Sequence, residues 1–251
     1  MNDIQGKVAL VTGAGGGIGR ATAQLFATRG AKVVVADFQA DAGNETVALI
    51  TAAGGTASFV ACDVSVPEQV AALVQQVVAL YGGLDYAVNN AGIDPEFAPV
   101  ADWSLEHFDR IMGINLRGVF LCLKEEIALM KGKGGGIVNV GSFASFAGVA
   151  NKPSYCASKH GVLGLTRAAA LQYARDGIRI NAVCPGAVQT AILADNVGSL
   201  PEGGEDIVAQ NHPIGRIATP EEIAESIYWA AVSATYMIGH GLIVDGGLAA
   251  G

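Results

Sequence analysis

Long apolar runs are missing from this 251-residue sequence, which has no stretch of about 18 uninterrupted apolar residues. Its N-terminal residues also lack the cationic segment followed by an apolar run that is typical of a secretory signal peptide. We therefore expect no membrane-spanning segment and no export signal, and we predict a cytoplasmic location.

Cysteine is scarce and widely spaced, and no CxxC pair occurs among Cys62, Cys122, Cys156 and Cys184. This spacing predicts neither a disulfide framework nor a zinc site, and it favours small, buried apolar thiols. The four histidines show no metal-ligand spacing with these cysteines either. We therefore expect a protein without a structural or catalytic metal.

Basic residues are also few, since 15 Lys and Arg stand against 23 Asp and Glu, for a net charge of -8. Proteins that bind nucleic acid usually carry a clustered basic surface, and the Lys and Arg residues here are scattered. We therefore expect no nucleic-acid partner.

What the sequence does contain is an alternation of short apolar runs with longer amphipathic segments. Strands are predicted at 7–12, 32–37, 56–61, 84–89, 136–141, 178–184 and 242–245. Helices are predicted at 18–29, 42–53, 67–81, 105–130, 155–175 and 220–231. Strands that alternate with helices pair in parallel through right-handed crossovers. The pattern predicts one α/β domain over 1–251, a Rossmann-like doubly wound parallel sheet in a three-layer α/β/α sandwich, with ligands at the carboxyl ends of its strands.

A glycine-rich stretch from Thr12 to Gly19 follows the first predicted strand and opens the first helix. Glycines allow the backbone to approach a pyrophosphate closely, and the helix N-terminus supplies free N–H groups. This context predicts a dinucleotide site at Gly13, Gly17, Ile18 and Gly19, although an ordinary glycine-rich turn is the alternative.

Asp37 ends the second predicted strand, about 20 residues beyond that loop, which is the usual spacing for a ribose-binding carboxylate. A carboxylate there can accept hydrogen bonds from a ribose diol and would repel a 2′-phosphate. We therefore predict NAD rather than NADP as the coenzyme. A solvated Asp at a strand end is the alternative.

Small and polar residues follow the third and fourth predicted strands at the same edge of the sheet. Asp63 and Val64 lie where an adenine would bind, and Asn90, Ala91 and Gly92 let the backbone come close to a ligand. Each group alone is typical of a turn, and its position beside the glycine-rich loop makes it a candidate contact of the coenzyme.

Ser142 follows the fifth predicted strand, and Tyr155 and Lys159 lie four residues apart on the next helix, so both face one side. A free tyrosine has a pKa of about 10, and a nearby ammonium with an oxidised nicotinamide favours the phenolate. Tyr155 can then exchange a proton with a substrate hydroxyl while Ser142 holds its oxygen. We predict hydride transfer between a nicotinamide and an alcohol or ketone carbon.

Asn115 lies inside the long predicted helix 105–130, where Asn is unfavourable unless its side chain has a task. We expect it to hold a water that connects Lys159 to solvent. An exposed or self-bonded Asn is the alternative.

Together these residues resemble the short-chain dehydrogenase/reductase family in its single-domain form, over nearly the whole chain. The glycine loop matches at Thr12, Gly13, Gly17 and Gly19, and the Asn-Asn-Ala-Gly element matches at 89–92. The family's Asn-Ser-Tyr-Lys tetrad maps onto Asn115, Ser142, Tyr155 and Lys159, and its nicotinamide-contacting segment maps onto Pro185, Gly186, Val188 and Thr190. The resemblance implies a parallel sheet of seven strands, NAD(P) chemistry and a homotetramer.

The substrate is predicted only as a secondary alcohol or ketone. The segment 191–215 shows weak periodicity and is predicted to be a long connection that forms a substrate lid, with a plain surface excursion as the alternative. Asp94 and Glu96 follow the fourth strand and either receive substrate hydroxyls or are simply solvated.

Two rival functions remain at this point. Enoyl reduction uses the same scaffold, but enoyl reductases of the family often place their Tyr and Lys farther apart than the four positions found here. A catalytically idle NAD-binding sensor is the other rival, and such proteins commonly lose one of the Ser, Tyr or Lys residues that this sequence retains.

Overall fold

The computed structural model describes residues 4–95, 97–197 and 204–250. Its centre is a parallel sheet of seven strands in the order β3-β2-β1-β4-β5-β6-β7, which confirms the predicted doubly wound architecture. The strands are β1 (Val8–Thr12), β2 (Lys32–Asp37), β3 (Thr56–Ala61), β4 (Tyr86–Asn89), β5 (Gly135–Val140), β6 (Ile178–Pro185) and β7 (Gly241–Val244).

The inner strands are apolar because both faces of the sheet are covered there. All five residues of β1 are buried, as are the last five of β2. Such strands carry near-continuous Val and Ala runs rather than an alternating pattern, which is why their positions can be read from the sequence.

Helices connect the strands on both faces of the sheet. They are α1 (Gly17–Thr28), α2 (Ala40–Ala52), α3 (Pro67–Tyr81), α4 (Leu105–Ile111), α5 (Val119–Met130), α6 (Pro153–Tyr173), α7 (Ala191–Val197), α8 (Gly204–Gln210) and α9 (Pro220–Tyr228). Phe26 of α1 and Ile227 of α9 belong to the apolar cluster on one face. Leu73 of α3 and Val162 of α6 belong to the cluster on the other face.

The predicted helix 105–130 is helical throughout but is not one regular α-helix. A π-helical turn at Met112–Gly118 separates α4 from α5 and contains Asn115. Wide turns of this kind are often found at functional sites. Hydrophobic periodicity does not reveal them, because one extra residue in a turn barely disturbs the apolar stripe.

The segment 191–215 is more regular than its weak periodicity suggested. It contains the two short helices α7 and α8, and the predicted lid residues 198–203 lie outside the described residues.

The structure also bears on the predictions about membrane spans and metal sites. No helix in the described ranges has the length and apolarity to cross a membrane, and no cluster of His, Cys, Asp and Glu there is suited to a metal ion.

Candidate active site

A cleft of ≈ 860 Å³ runs along the carboxyl ends of the central strands. Most of the residues predicted to contact coenzyme or substrate line it: Gly13, Gly17, Ile18, Asp37, Asp63, Val64, Asn90, Ala91, Gly92, Ser142, Tyr155, Lys159, Pro185, Gly186, Val188 and Thr190. The structure therefore gathers residues from nearly 180 positions of sequence at one edge of the sheet, where ligands of doubly wound folds bind.

At one end of the cleft, the glycine loop packs against its own backbone. A Cβ on Gly19 would lie 2.1 Å from the Gly13 carbonyl oxygen, and one on Gly13 would lie 2.8 Å from Ala91 Cα. The Asn90 amide fixes the loop by donating to the Thr12 and Gly13 carbonyls, each at 3.0 Å. Gly19 thus serves the site by close packing behind the cleft surface.

The front of this loop is open in the way a dinucleotide requires. Gly16 precedes α1, and a Cβ on it would meet no atom within 4 Å. Gly17 has a φ of 49°, and a Cβ there would lie 2.9 Å from Thr190 Cγ2. Free N–H groups of a helix N-terminus with clear space before them are the features that bind a pyrophosphate, so the residues present fit a dinucleotide coenzyme.

Asp37 lies beside the loop with 9% of its surface exposed. Its Oδ2 accepts a hydrogen bond from the Gly15 N–H at 2.8 Å, and Oδ1 accepts one from the Gln39 N–H at 2.9 Å. These bonds hold the carboxylate at the cleft wall. The alternative of a solvated Asp at a strand end is therefore wrong.

The predicted adenine end is held by short side-chain contacts. Asp63 Oδ1 accepts from both the backbone N–H and the hydroxyl of Ser65, at 2.9 and 2.7 Å. Val64 packs against Gly118, where a Cβ would lie 2.9 Å from Val64 Cγ2. The π-helical turn therefore comes close to the coenzyme cleft.

Ser142, Tyr155 and Lys159 meet at the other end of the cleft. Ser142 and Tyr155 both line this end of the cleft. Lys159 Nζ lies 5.6 Å from the centre of the Tyr155 ring and donates to the Val140 carbonyl at 2.9 Å. The four-residue spacing on α6 thus places phenol and ammonium on one face, as predicted.

The electrostatics at this end differ from the sequence-based expectation. Burial raises the pKa of the half-buried Tyr155 phenol well above its ordinary value, and the Ser142 hydrogen bond opposes this only in part. Burial also lowers the pKa of Lys159 to about 8. The protein alone therefore favours a neutral phenol. The expected stabilisation of the phenolate needs the positive charge that an oxidised nicotinamide supplies when bound.

Asn115 is fully buried in the π-helical turn, so the alternative of an exposed Asn is wrong. Its Oδ1 accepts from the Ile93 N–H at 2.9 Å, and its Nδ2 donates to the Ile93 carbonyl at 2.8 Å. The side chain therefore fixes the segment that follows β4. The expectation of a water held near Lys159 stays a prediction.

The structure contradicts the alternative that Asp94 is simply solvated. It forms an ion pair with Lys152, at 2.9 Å between Oδ2 and Nζ, and each side chain is only 7% exposed. Asp94 lines the cleft close to the tetrad. Glu96, which we grouped with it, lies outside the described residues.

The sequence did not mark several other residues of the cleft. They come from α4, the π-helical turn and the loop after β3: Ser65, Asp109, Arg110, Gly113, Ile114 and Arg117. Only the three-dimensional path of these elements reveals which of their faces borders the cleft, and their residue types carry no signal. The Lys152 partner of Asp94 was missed for the same reason.

Comparisons with known proteins agree with this geometry. A family model described as enoyl-(acyl carrier protein) reductase matches residues 13–249. A 2,5-dichloro-2,5-cyclohexadiene-1,4-diol dehydrogenase of Sphingobium indicum is 44% identical, with 100% of each chain covered. A cyclohexanol dehydrogenase of Acinetobacter sp. is 41% identical over 98% of this chain and 96% of the relative.

The crystal structure of levodione reductase superposes with a TM-score of 0.94 at 35% identity, covering 98% of both chains. Fold, cleft and similarity over the full length thus agree with the resemblance seen in the sequence. The chain is an oxidoreductase of the short-chain dehydrogenase/reductase family.

Proposed function

We propose that the protein oxidises a secondary alcohol on a six-membered carbon ring, or reduces the matching ketone, with NAD(H) as its coenzyme. The observation that carries this proposal is the meeting of Ser142, Tyr155 and Lys159 at one end of a cleft whose other end is a dinucleotide-fitting glycine loop. The ring follows from the names of the relatives, which act on a cyclohexadiene diol and on cyclohexanol.

The chemistry divides between coenzyme and protein. When bound at the glycine loop, an NAD(H) coenzyme would supply the hydride acceptor for oxidation and the hydride donor for reduction. Ser142 orients the substrate oxygen, and Tyr155 takes the hydroxyl proton in oxidation or returns it in reduction. The Lys159 ammonium, 5.6 Å from the phenol ring centre, favours the anionic form of Tyr155 while that proton is away. Asn115 supports this arrangement by fixing Ile93 at the cleft wall.

The NAD preference rests on Asp37. Its carboxylate is fixed at the cleft wall by the Gly15 and Gln39 N–H groups and retains lone pairs that can accept ribose hydroxyls. The basic side chains along the described cleft are Arg110, Arg117 and Lys159, none of which is bonded to Asp37. NADH should therefore give a higher kcat/KM than NADPH. Asp37→Ser should lower the ratio of kcat/KM with NADH to kcat/KM with NADPH, or bring it below one.

The substrate lid and the homotetramer are further parts of this proposal. Ile192 and Leu193 of α7 line the cleft, which supports a substrate lid over 191–215 within one domain spanning 1–251. Phe120 on α5 and Leu171 on α6 are 49% and 81% exposed, which supports assembly of the chain into a homotetramer through these helices. Sedimentation velocity measures that assembly directly. The cytoplasmic location stays a prediction from the sequence.

Tyr155→Phe tests the reaction. With cyclohexanol and 1,4-cyclohexanediol as substrates and NADH followed at 340 nm, we expect kcat to fall by about 10²–10⁴-fold or more. NADH binding, measured by fluorescence titration, should stay nearly unchanged. Tyr236→Phe is the matched control, because Tyr236 is fully exposed and its loss should change neither quantity.

Two outcomes would contradict the proposal. Turnover that persists in Tyr155→Phe would show that another group moves the proton. A wild-type protein that binds NADH but converts no ring alcohol or ketone would favour the NAD-binding sensor.

A further inference from the structure

His212 lies within the predicted lid segment, against the cleft wall, and makes a hydrogen bond with each of its ring nitrogens. It follows α8 and is 4% exposed. Nδ1 lies 2.8 Å from the Val208 carbonyl oxygen, and Nε2 lies 3.1 Å from the Ala187 backbone nitrogen. In the sequence, the histidines are candidates only for metal ligands, and their spacing does not suit that role. In the structure, His212 instead connects two parts of the site.

The two partners fix the tautomer of the ring. A carbonyl oxygen can only accept a hydrogen bond, so Nδ1 carries the hydrogen. A backbone N–H can only donate one, so Nε2 is unprotonated and accepts. His212 is therefore a neutral imidazole whose acceptor nitrogen is committed to Ala187.

Ala187 belongs to the cleft wall between Gly186 and Val188, in the segment that we expect to contact the nicotinamide. Its carbonyl accepts from the Ala218 N–H at 3.1 Å, so His212 and Ala218 hold this residue from two sides. Without the imidazole acceptor, the Ala187 N–H would lose its partner and the peptide could turn.

The ring has little room to move. A Cβ on Gly186 would lie 2.8 Å from His212 Nε2, so the imidazole packs directly against the backbone of that glycine. On the far side, Ile214 donates to the Gly246 carbonyl at 3.1 Å, which holds the chain after His212 against the turn that follows β7. The ring is thus confined between α8 and the end of β6.

We propose that His212 is a positioning residue: its Nε2 holds the Ala187 peptide in the orientation that binds the nicotinamide half of the coenzyme, and its Nδ1 ties that peptide to α8. The inference rests on the proposed coenzyme site and adds a residue to it. The ring acts on the coenzyme through Ala187 rather than by touching it. Loss of the acceptor should weaken coenzyme binding before it affects the proton-transfer step at Tyr155.

Two amide variants distinguish the roles of the two ring nitrogens. In His212→Gln, the side-chain oxygen reaches the place of Nε2 and can still accept from Ala187. In His212→Asn, the shorter amide reaches only the place of Nδ1 and leaves Ala187 without an acceptor. We expect the NADH Kd, from fluorescence titration at pH 8, to rise about 10-fold in the Asn variant and at most about 3-fold in the Gln variant, as expected for one lost hydrogen bond.

Steady-state kinetics then distinguish positioning from general damage to the fold. In His212→Asn, KM for NAD should rise about as much as the Kd, while kcat changes by less than about 3-fold. Equal NADH affinity in wild type and the Asn variant would overturn the proposal. Equal losses in the Asn and Gln variants would overturn it as well, because ring volume rather than the acceptor would then matter.

A spectroscopic measurement keeps the proposal testable if neither variant folds. With His107, His160 and His240 replaced by Gln, ¹⁵N-labelled histidine reports His212 alone. Long-range ¹H–¹⁵N correlations should show the neutral tautomer protonated at Nδ1, and an Nε2-protonated ring would overturn the proposal. This readout needs no coenzyme or substrate, so it stays interpretable if no ring alcohol is converted and the proposed reaction fails.

Discussion

The two ends of the cleft are stabilised by different kinds of contact. At the glycine end, the backbone packs so closely that a Cβ on Gly19 would lie 2.1 Å from a carbonyl oxygen. The catalytic end differs in holding buried charges: the Asp94–Lys152 pair and Lys159 are all nearly buried. The first end should fail when atoms are added, and the second when charges lose their partners.

The largest effect on stability is expected from breaking the ion pair of the catalytic end. Lys152→Met removes the ammonium that lies 2.9 Å from Asp94 Oδ2, where both side chains are 7% exposed. Removing one partner of a buried pair commonly costs about 3–5 kcal/mol. Urea unfolding at pH 7 should show a loss of that size.

Two controls decide whether charge is the cause. The double variant Asp94→Asn with Lys152→Met removes both charges and should recover most of the loss. Lys124→Met makes the same change in an exposed pair, with Lys124 65% exposed, and should cost at most about 0.5 kcal/mol. A double variant as unstable as Lys152→Met alone would show that packing around Lys152 matters more than charge.

The corresponding test at the glycine end is Gly19→Ala. The added methyl group would lie 2.1 Å from the Gly13 carbonyl and 2.6 Å from Asn90 Nδ2, so the loop must shift. Overpacking of this kind costs about 1–3 kcal/mol, and we expect about 3 kcal/mol together with a loss of NADH affinity. Thermal unfolding and NADH titration measure the two effects.

Gly83→Ala provides the matched control, because a Cβ at that position would meet no atom within 4 Å. It should leave stability within about 0.5 kcal/mol and NADH binding unchanged. Normal NADH affinity in Gly19→Ala would mean that the loop adapts, and the contrast between the two ends would disappear.

The same contrast explains what could be predicted from the sequence. The glycine end depends on a local pattern, a strand followed by a turn and a helix, so Gly13, Gly17 and Asp37 could be predicted as coenzyme contacts from the sequence. The parallel, doubly wound character of the sheet could also be predicted, because strands that alternate with helices form parallel sheets. The seven-stranded sheet confirms that prediction.

Only part of the catalytic end could be predicted from the sequence. Tyr155 and Lys159 share one helix and could be paired by spacing, whereas Asp94 and Lys152 meet 58 positions apart across two loops. The π-helical turn at Met112–Gly118 and the bonds of His212 likewise depend on tertiary packing. Contacts of this kind leave no local pattern in the sequence, since neither partner's neighbours in the chain determine where the other lies.

A smaller effect, of opposite sign, is expected from Lys159→Met. Burial lowers the pKa of Lys159 from 10.5 to about 8, which corresponds to about 3 kcal/mol of destabilisation by the buried ammonium. The variant also loses the 2.9 Å bond to the Val140 carbonyl, which costs about 1 kcal/mol. At pH 7 it should therefore be more stable than wild type by about 2 kcal/mol, with turnover lost.

The pH dependence identifies the cause of that gain. Below pH 8, Lys159 is protonated in both the folded and the unfolded protein, and the full destabilisation applies. Between pH 8 and 10.5, the folded protein releases the proton first, so wild-type stability rises relative to the variant. Urea unfolding at pH 7 and pH 10 should show the advantage of Lys159→Met shrinking, and a constant difference would contradict the assignment to charge.

The smallest effect concerns Glu126 of α5, whose carboxylate contacts Asn89, the last residue of β4. Its Oε2 accepts from Asn89 Nδ2 at 2.9 Å, and the same amide donates to Asn139, which in turn donates to Thr166 of α6. Glu126 is fully buried, and no described residue gives its Oε1 a hydrogen-bond partner. Burial raises the pKa of Glu126 from 4.5 to about 7.

That shift fixes the sign of a pH effect. Below pH 4.5 the carboxyl is protonated in both states, whereas between pH 4.5 and 7 only the unfolded protein ionises, so stability falls as pH rises. Glu126→Gln removes this dependence but places an amide donor where no described acceptor lies, which costs about 1–2 kcal/mol. The full shift is worth about 3 kcal/mol at pH 8, so the variant should be about 1–2 kcal/mol more stable than wild type at pH 8 and less stable at pH 5. Glu125→Gln, at a partly exposed neighbour, should show no such crossover in urea unfolding. If Glu126→Gln follows the wild-type pH profile, the buried carboxyl does not titrate in this pH range, and burial at this position has no effect on the pH dependence of stability.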